Sequence, residues 1–400
     1  MNKELDPRPL AGLRVIEIGQ LLAGPFTGTI LGYFGAEVIK VEPPEVGDPI
    51  RGWREVRDGT SLWWASLSRN KKCITLDLKT PKGQEVLKKL ANTADVFVEN
   101  FRPGTMEKWG IGPDTFKEEN PGLIYARISG YGQTGPAASK AGFASACEAF
   151  GGFRYVNGFP GEVPVRPNIS IGDTLAGIHA ALGVLLAYIG RQKSGQGQVV
   201  DVAIFEGLFN LLEAVIPEYS GAGIVREPSG TAITGIVPTN THRCKDGKHI
   251  VIGANTNSMF KRLAKAMDKP EMGDDSRFAE NADRVVNQKE IETIIESWTL
   301  QTNSKEALEA LDVAGVAAGP IYSVKDMFED EQYHARELFQ EVSIDGKPLT
   351  IPAIIPRLSR TPGKTDFPGS KLGAHNEEVL QNILGYTEQE IADLKTEKII

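Results

Sequence analysis

The chain has 400 residues, of which 41% are hydrophobic and 24% charged, and its formal net charge at pH 7 is -8. This length allows two domains, the composition is that of a soluble globular protein, and the acidic balance argues against a general nucleic-acid binder. The three cysteines, Cys73, Cys147 and Cys244, lie far apart and predict neither a zinc site nor a disulfide framework. The N-terminal residues form no long apolar run, and no window approaches the ~20 apolar residues that span a bilayer, so we expect a cytoplasmic protein without a membrane partner.

The first part of the chain alternates between strand and helix patterns. Thr80 and Pro81 are typical of a helix start, since threonine caps helices and proline fits their first position. Strands separated by helices predict parallel βαβ units with right-handed crossovers, and therefore an α/β sheet. The predicted strands cover residues 13–19, 36–44, 71–79, 95–101 and 122–132, and the predicted helices cover 21–35 and 80–94.

A strongly apolar helix is predicted after Gly172, and it ends at Arg191 and Lys193 before Gly195. Its apolar residues cover most of its surface, so we expect it to be buried. A strand and a helix follow over 198–215. The character of the sequence changes near residue 217. We therefore predict a large domain over 1–217, a linker over 218–232, a small α/β domain over 233–325, and a linker with a C-terminal segment over 326–400.

The first predicted strand is followed by the loop GQLLAGPFTG, and the second strand ends near Glu42. An acidic residue at that place binds ribose in dinucleotide-binding proteins, but the loop lacks the G-x-G-x-x-G pattern that makes the pyrophosphate turn. A Rossmann-like sheet without a dinucleotide fits the sequence better than NAD(P) binding.

A set of motifs, in order along nearly the whole chain, resembles the class III CoA-transferase family, which includes carnitine CoA-transferases and formyl-CoA transferases. The motifs include LRVIEIGQLLAGPFTG, LSRNKKCITLDLKTPKG, DVFVENFRPGTMEKWGI, ISGYGQTGP, IGDTLAGIHAALGVLLA and LGAHNEEVLQNILGY. The resemblance implies a Rossmann-like large domain with a parallel sheet plus a smaller α/β domain. It also implies an interlocked homodimer, in which the C-terminal segment returns to the large domain.

The resemblance identifies Asp173, in the turn Gly172-Asp173, as a catalytic nucleophile. By the mechanism it implies, Asp173 attacks an acyl-CoA thioester to give a mixed anhydride, and CoA thiolate then forms an aspartyl-CoA thioester that an acceptor acid attacks. Backbone N–H groups near Gly172 are expected to hold the oxyanions. From the residues alone, an aspartate before an apolar helix is more often an N-cap, and a fully committed cap is a poorer nucleophile.

The resemblance also implies CoA contacts on three segments, and any one of these basic residues alone is more often a solvated surface charge. This sequence departs from the formyl-CoA transferases at Leu22 and Pro43, and it lacks their glycine-rich loop, so we expect an acceptor other than formate or oxalate. The predicted CoA-binding residues are Asn70, Lys71, Lys72, Asn100, Phe101, Arg102, Lys108 and Lys140.

Two arginines are weaker candidates for contact with an acceptor carboxylate. Arg166 precedes the catalytic turn and Arg243 lies in the predicted small domain, and a structural ion pair is the alternative for each. If either contact exists, the acceptor is a dicarboxylate such as succinate, glutarate or citramalate.

Two other functions stay open. A 2-methylacyl-CoA racemase needs a histidine–aspartate pair for proton transfer, but no histidine precedes His179, and the racemases' GHD motif is replaced by Gly142-Phe143-Ala144. A non-catalytic acyl-CoA-binding homologue would retain the fold without turnover. No metal or redox cofactor is predicted, because the CoA thioester is itself a substrate; succinyl-CoA is a candidate donor.

Overall fold

The computed structural model describes residues 6–400, which divide into two compact units. The first contains the described residues through Phe153, together with Pro167–Glu213 and His334–Ile400, and the second contains Arg154–Arg166 and Ala214–Tyr333. The boundaries thus fall at 213 and 333, where the sequence predicted 217 and 325. Residues 154–166 lie outside the unit in which they were predicted, because the segment pairs with later residues: Gly230 N–H donates to the carbonyl of Gly158 at 2.8 Å.

Within the described residues, the strands in chain order are β1 (Arg14–Glu17), β2 (Glu37–Glu42), β3 (Val56–Arg57), β4 (Thr60–Ser61), β5 (Lys71–Thr75), β6 (Val96–Glu99), β7 (Ile124–Ser129), β8 (Val199–Ala203), β9 (Thr239–Arg243), β10 (His249–Gly253), β11 (Ala317–Pro320), β12 (Phe339–Ile344) and β13 (Lys347–Pro352).

The α-helices of the same residues are α1 (Ala23–Tyr33), α2 (Leu62–Leu67), α3 (Pro81–Asn92), α4 (Thr105–Lys108), α5 (Ala144–Phe150), α6 (Ile171–Ser194), α7 (Ile204–Phe209), α8 (Val215–Ala222), α9 (Asn257–Ala266), α10 (Pro270–Asp274), α11 (Asn281–Val286), α12 (Gln288–Thr299), α13 (Ser304–Val313), α14 (Val324–Glu329), α15 (Glu331–Ala335), α16 (Asn376–Asn382) and α17 (Glu388–Thr396). Short 3-10 helices cover Pro49–Gly52, Pro113–Phe116 and Ser276–Phe278.

The first unit is built on a six-stranded parallel sheet in the order β5-β2-β1-β6-β7-β8. Its central strands are almost entirely buried, as expected for parallel strands with helices on both faces. The predicted α/β class with a parallel sheet is confirmed. Because all strands run the same way, their carboxyl ends share one edge of the sheet, the usual ligand edge of such folds.

Separate apolar cores cover the two faces of this sheet. Ile16, Ile39 and Phe97 point into one core with residues of α3, α16 and α17. Their neighbours Val15 and Val38 point into the other core, with residues of α1 and α6. Successive strand residues alternate between faces, so each short strand supplies both cores, and helices on each face complete three layers.

The start of α3 follows from its sequence as predicted. Thr80 Oγ1 accepts a hydrogen bond from the Gly83 N–H at 3.1 Å, and Pro81 occupies the first turn. A side chain at Gly83 would approach the Asp77 carbonyl oxygen to 2.1 Å, so this position requires glycine.

The long helix α6 has two unlike faces. Small residues such as Ala176, Gly177 and Ala180 are buried, and a β-carbon at Gly177 would lie 2.9 Å from the Ala23 carbonyl of α1. The other face exposes an apolar stripe, so the expectation that α6 is buried holds for one face of the helix and is wrong for the other. The stripe consists of Ile178, Leu182, Leu186 and Ile189.

By length and composition, α6 is the one helix in the described part of the chain that qualifies as a candidate membrane span, with a mean hydropathy of 1.4. The expectation that no segment qualifies was therefore wrong. A core helix of a soluble protein passes the same test, so a single helix of this kind is weak evidence for a span.

The C-terminal part of the chain contains more structure than the sequence predicted. The predicted linker over 218–232 overlaps α8, and the predicted linker and C-terminal segment over 326–400 contain the antiparallel hairpin β12–β13. Helices α16 and α17 pack on the first unit through Val379, Leu380, Ile391 and Leu394, which are buried with β-sheet residues.

The second unit has its own core around an antiparallel sheet in the order β11-β10-β9. Ile250 and Ile252 of β10 pack on Phe260 and Leu263 of α9. Buried Arg284 donates to several backbone carbonyls in this unit, among them those of Val237, Phe278 and Asn255.

Candidate active site

Asp173 lies in the first turn of α6, as the third residue of the helix. Ser170 is the N-cap residue, so the alternative that Asp173 itself caps the helix was wrong. The side chain is half-buried. A carboxylate in the first turn is stabilised by the partial positive charge of the helix N-terminus.

Gly172 is packed closely between two elements of the first unit. A β-carbon at this position would lie 3.0 Å from Ile204 Cγ2 and 3.2 Å from Glu148 Cγ, tighter than most real contacts. The Gly172 N–H donates to Glu148 Oε1 at 3.4 Å. Glycine therefore allows the first turn of α6 to approach α5.

Glu148 is fully buried beside this turn, although its sequence context did not predict a functional role. It belongs to none of the motifs that resemble the family. The available signal was a lone carboxylate within the small, apolar helix ASACEAF, since buried glutamates are uncommon unless they serve a partner.

Cys147, next to Glu148, is not a second nucleophile. Burial, followed by the nearby charge of Asp173, raises the pKa of its thiol to about 11, so the thiol stays protonated at neutral pH. Like Cys147, the other two cysteines, Cys73 and Cys244, are unpaired and buried.

A buried cluster of charged side chains forms hydrogen bonds with the backbone of the loop between β1 and α1. Lys40 Nζ lies 3.1 Å from Glu17 Oε1 and 3.0 Å from Asp48 Oδ2, and all three side chains are fully buried. Lys40 also donates to the Gly19 carbonyl at 2.8 Å, and Asp48 accepts from the Leu21 N–H at 3.1 Å. The cluster fixes the loop that leads to Leu22.

A cavity of about 460 Å³ opens beside the first turn of α6, entirely within the first unit. Its walls come from α1, α2, the start of α6 and the chain around β13, and most of the wall surface is apolar although half of the lining residues are polar. Ser170 and Thr174, which flank Asp173 in the sequence, line it. The other lining residues are Leu22, Phe26, Thr29, Arg54, Trp63, Ser66, Leu67, Arg69, Asn168, Ile169, Pro352 and Ile354.

The predicted CoA-binding residues fall into two groups at opposite edges of the sheet. Asn100, Phe101 and Arg102 follow the carboxyl end of β6, with exposed Lys108 at the end of α4 and exposed Lys140 in the loop after β7. Asn100 is also structural: its Oδ1 accepts from the Gln20 N–H and its Nδ2 donates to the Gln20 carbonyl, each at 2.8 Å.

The second group lies at the amino end of β5 and is occupied by structural contacts. Asn70 Nδ2 donates to the Lys364 carbonyl at 2.7 Å, and Lys71 is fully buried with its Nζ 2.8 Å from Glu17 Oε2. Lys72 pairs with Glu37 at 2.8 Å. The side chains of Asn70, Lys71 and Lys72 are therefore engaged within the fold, and their contact with CoA stays a prediction.

Arg166 and Arg243 belong to the second unit, where both side chains are exposed. His179 lies in α6, and its Nδ1 is 2.8 Å from the Leu175 carbonyl, one helical turn earlier, in keeping with a helix-packing role. Within residues 6–400, no group of three or more His, Cys, Asp or Glu side chains is arranged to hold a metal ion.

Comparisons with known proteins agree with this fold. A family model described as CoA-transferase family III matches residues 10–376. The chain is 48% identical to a succinyl-CoA–D-citramalate CoA-transferase of Chloroflexus aurantiacus, covering 100% of both chains. It is 34% identical to the human succinyl-CoA:glutarate CoA-transferase, covering 98% of this chain and 90% of that one.

Among solved structures, a CAIB/BAIF family protein from Brucella suis superposes with a TM-score of 0.82 at 33% identity, covering 93% of this chain and 98% of the other. The chain therefore belongs to CoA-transferase family III and is an enzyme of that family, which confirms the resemblance seen in its motifs.

Proposed function

We propose that the enzyme transfers CoA from succinyl-CoA to a small dicarboxylic acid, with Asp173 as the covalent nucleophile. The observation that carries the proposal is a half-buried carboxylate in the first turn of α6, beside an apolar-walled cavity. The names of the relatives support the substrates, since they pair succinyl-CoA with citramalate in one protein and with glutarate in another.

In the proposed reaction, the Asp173 carboxylate attacks the thioester carbonyl, which gives an acyl-aspartyl anhydride and CoA thiolate. The thiolate attacks the aspartyl carbonyl, which gives aspartyl-CoA and releases the donor acid. The acceptor carboxylate then attacks aspartyl-CoA, and the same steps in reverse yield the new acyl-CoA and free Asp173. Each step is an acyl transfer, so the energy of the thioester is kept.

Each acyl transfer passes through an oxyanion that needs hydrogen-bond donors. The first N–H groups of a helix have no partner within the helix, so the turn at Gly172 supplies donors of the right kind. Glu148 already accepts from the Gly172 N–H and positions this turn. We assign Gly172 and Glu148 to positioning the turn that carries Asp173.

For CoA itself we favour the carboxyl edge of the sheet, where Asn100, Phe101, Arg102, Lys108 and Lys140 follow strand ends or lie in the adjoining helix and loop. The proposed chemistry uses no metal or redox cofactor, since CoA is a substrate and every step is carried by a carboxylate or thiolate. Arg166 and Arg243 have weaker support as acceptor contacts.

We also propose a cytoplasmic homodimer. The exposed apolar stripe of α6 supports an interface, because contiguous apolar surface on a folded chain usually marks a contact with another molecule. Light scattering on the purified protein tests the dimer, and a Leu182→Glu, Leu186→Glu variant is expected to weaken it.

The test of the proposed activity is an exchange assay read by mass spectrometry. The protein is mixed with succinyl-CoA and a pool of mono- and dicarboxylic acids, and new acyl-CoA species are sought beside an Asp173→Asn variant. An Asp114→Asn variant, at a highly exposed position, serves as the matched control. New acyl-CoAs that disappear only in Asp173→Asn support the proposal, and exchange that survives there rejects Asp173 as nucleophile.

The two other functions appear as distinct outcomes of the same assay. A 2-methylacyl-CoA racemase would exchange the α-proton for deuterium without moving CoA between acids. A non-catalytic acyl-CoA-binding protein would do neither.

A further inference from the structure

The cavity beside α6 contains a buried cation without a counter-charge. Arg69 is 1% exposed, and its guanidinium donates only to neutral acceptors. These are the Ser66 carbonyl and the Ser66 hydroxyl, each at 2.7 Å, the Pro352 carbonyl at 2.6 Å, and Thr365 Oγ1 at 3.4 Å. Among the described residues no carboxylate lies within ion-pair distance of Arg69.

Such an arrangement is costly for the protein by itself. A buried charge without a partner of opposite sign is stabilised by its hydrogen bonds alone, and burial lowers the pKa of Arg69 to about 10. Other buried cations of this unit do have partners, for example Lys40 with Glu17 and Asp48. An anion that binds in the cavity would therefore supply the counter-charge that Arg69 lacks among the described residues.

Further groups on the cavity walls suit a carboxylate. Ser66 Oγ accepts from Arg69, which leaves its own O–H to donate to a ligand. At the exposed side, the guanidinium of Arg54 lies over the Trp63 ring, 4.9 Å from its centroid. A planar cation stacked on an aromatic face keeps its N–H groups free to bind a carboxylate.

The remaining walls are suited to methylene groups. Phe26, Leu67 and Ile354 present apolar surface, and Ser170 and Thr174, the latter next to Asp173 in the sequence, also line the cavity. A cavity of about 460 Å³ has room for a four- or five-carbon acid together with water.

We infer that Arg69, with Ser66 and Arg54, binds the second, non-reacting carboxylate of the dicarboxylic substrate. The inference rests on the proposed function. The succinyl donor and the acceptor acid react in turn at the same aspartate. The same subsite therefore binds the distal carboxylate of each of them. Arg69, rather than Arg166 or Arg243, is then the residue that selects dicarboxylates.

The test compares two acceptors that differ only in the charge of the distal group, glutarate and its monoamide glutaramate, with succinyl-CoA as donor. The wild type is expected to prefer glutarate by about 100-fold in kcat/KM, since an unpaired buried cation discriminates strongly between charged and neutral partners. In Arg69→Met the preference is expected to fall to about 5-fold or less. The ratio is independent of the fraction of correctly folded protein, so a loss of stability in Arg69→Met does not affect it.

Arg54→Gln, at an exposed position, is a second variant that spares the core, and it is expected to reduce the preference by about 5-fold. Arg357→Gln is the matched control, since this exposed arginine pairs with Glu337 away from the cavity. Binding of desulfo-CoA is expected to be equal in the wild type and Arg69→Met, which separates a carboxylate site from a phosphate site.

An unchanged preference in Arg69→Met and Arg54→Gln overturns the inference while the transferase activity stands. Weaker desulfo-CoA binding in Arg69→Met also overturns it, in favour of a phosphate contact. If the wild type transfers CoA to neither acid, nor to any other acid of the exchange assay, both the inference and the proposed function fail.

Discussion

The Gly172 N–H donates to Glu148 Oε1 across 3.4 Å, which joins the first turn of α6 to a fully buried carboxylate of α5. This contact ties the backbone that carries Asp173 to the interior of the first unit. Rigid support of this kind keeps a nucleophile in its productive geometry, and a small displacement is costly for the rate.

We expect Glu148→Ala to lower kcat by about 10- to 100-fold, with a smaller effect on KM for acyl-CoA, because the buried N–H of Gly172 loses its acceptor. Glu148→Gln retains an acceptor oxygen and is expected to lose less. Steady-state kinetics of both variants check this. Equal losses in the two variants would show that the charge of Glu148, and not its hydrogen bond, matters.

Gly172→Ala is expected to reduce activity and to lower the free energy of unfolding by about 1 kcal/mol or more, since the new methyl meets Ile204 and Glu148 at 3.0 and 3.2 Å. Gly190→Ala is the matched control in the same helix, because nothing approaches its β-carbon closer than 4.0 Å. There alanine is expected to stabilise by about 0.5–1 kcal/mol through helix propensity. Chemical denaturation and activity assays of both variants check the pair, and a neutral Gly172→Ala would contradict the close packing.

Asn100→Asp tests the hydrogen bonds between the residue that follows β6 and the loop between β1 and α1. In the wild type the amide both donates to and accepts from the backbone of Gln20. A carboxylate cannot donate, so one oxygen would face the Gln20 carbonyl, and we expect a loss of about 1–3 kcal/mol in unfolding free energy with a higher KM for acyl-CoA. Asn100→Ala, which lacks the repulsion, should be less damaging; the opposite order would argue against this hydrogen-bond pair.

His242 is expected to lower the stability of the second unit as the pH falls from about 6.5 to 4. Burial lowers the pKa of His242 to about 4, so the unfolded chain takes up a proton in this range before the folded one does. The contribution of neutral His242 to the free energy of unfolding is fully present above pH 6.5 and amounts to at most about 3 kcal/mol. Hydrogen exchange at the β9–β10 amides, compared between wild type and His242→Gln, measures it; an equal pH dependence in both proteins would contradict the assignment.

Most of the fold followed from the sequence because it depends on local patterns. The alternation of short apolar strands with capped helices predicted β1, α3, β6 and β7 close to their observed bounds. The failures lie where long-range pairing decides the structure. Residues 154–166 have no apolar periodicity, and only their pairing with the chain around Gly230 shows the unit to which they belong.

The site shows the same division. Asp173 was found through a motif, whereas Glu148 and the unpaired charge of Arg69 needed three-dimensional information. The basic residues at the start of β5 look alike in sequence but have different surroundings. Arg69 lines the cavity, Lys71 is buried against Glu17, and Lys72 pairs with Glu37. Successive side chains of a strand point to opposite faces, so a cluster in sequence is not a cluster in space.

The most direct test of the account is the mass of the peptide that contains Asp173 after the enzyme is incubated with succinyl-CoA without acceptor, quenched in acid and digested. We predict a CoA thioester on Asp173, which is absent in Asp173→Asn and disappears from the wild type when free succinyl-CoA is removed and glutarate is added before the quench. CoA transfer between acids without any adduct on this peptide, or with an adduct on another residue, would contradict covalent catalysis by Asp173.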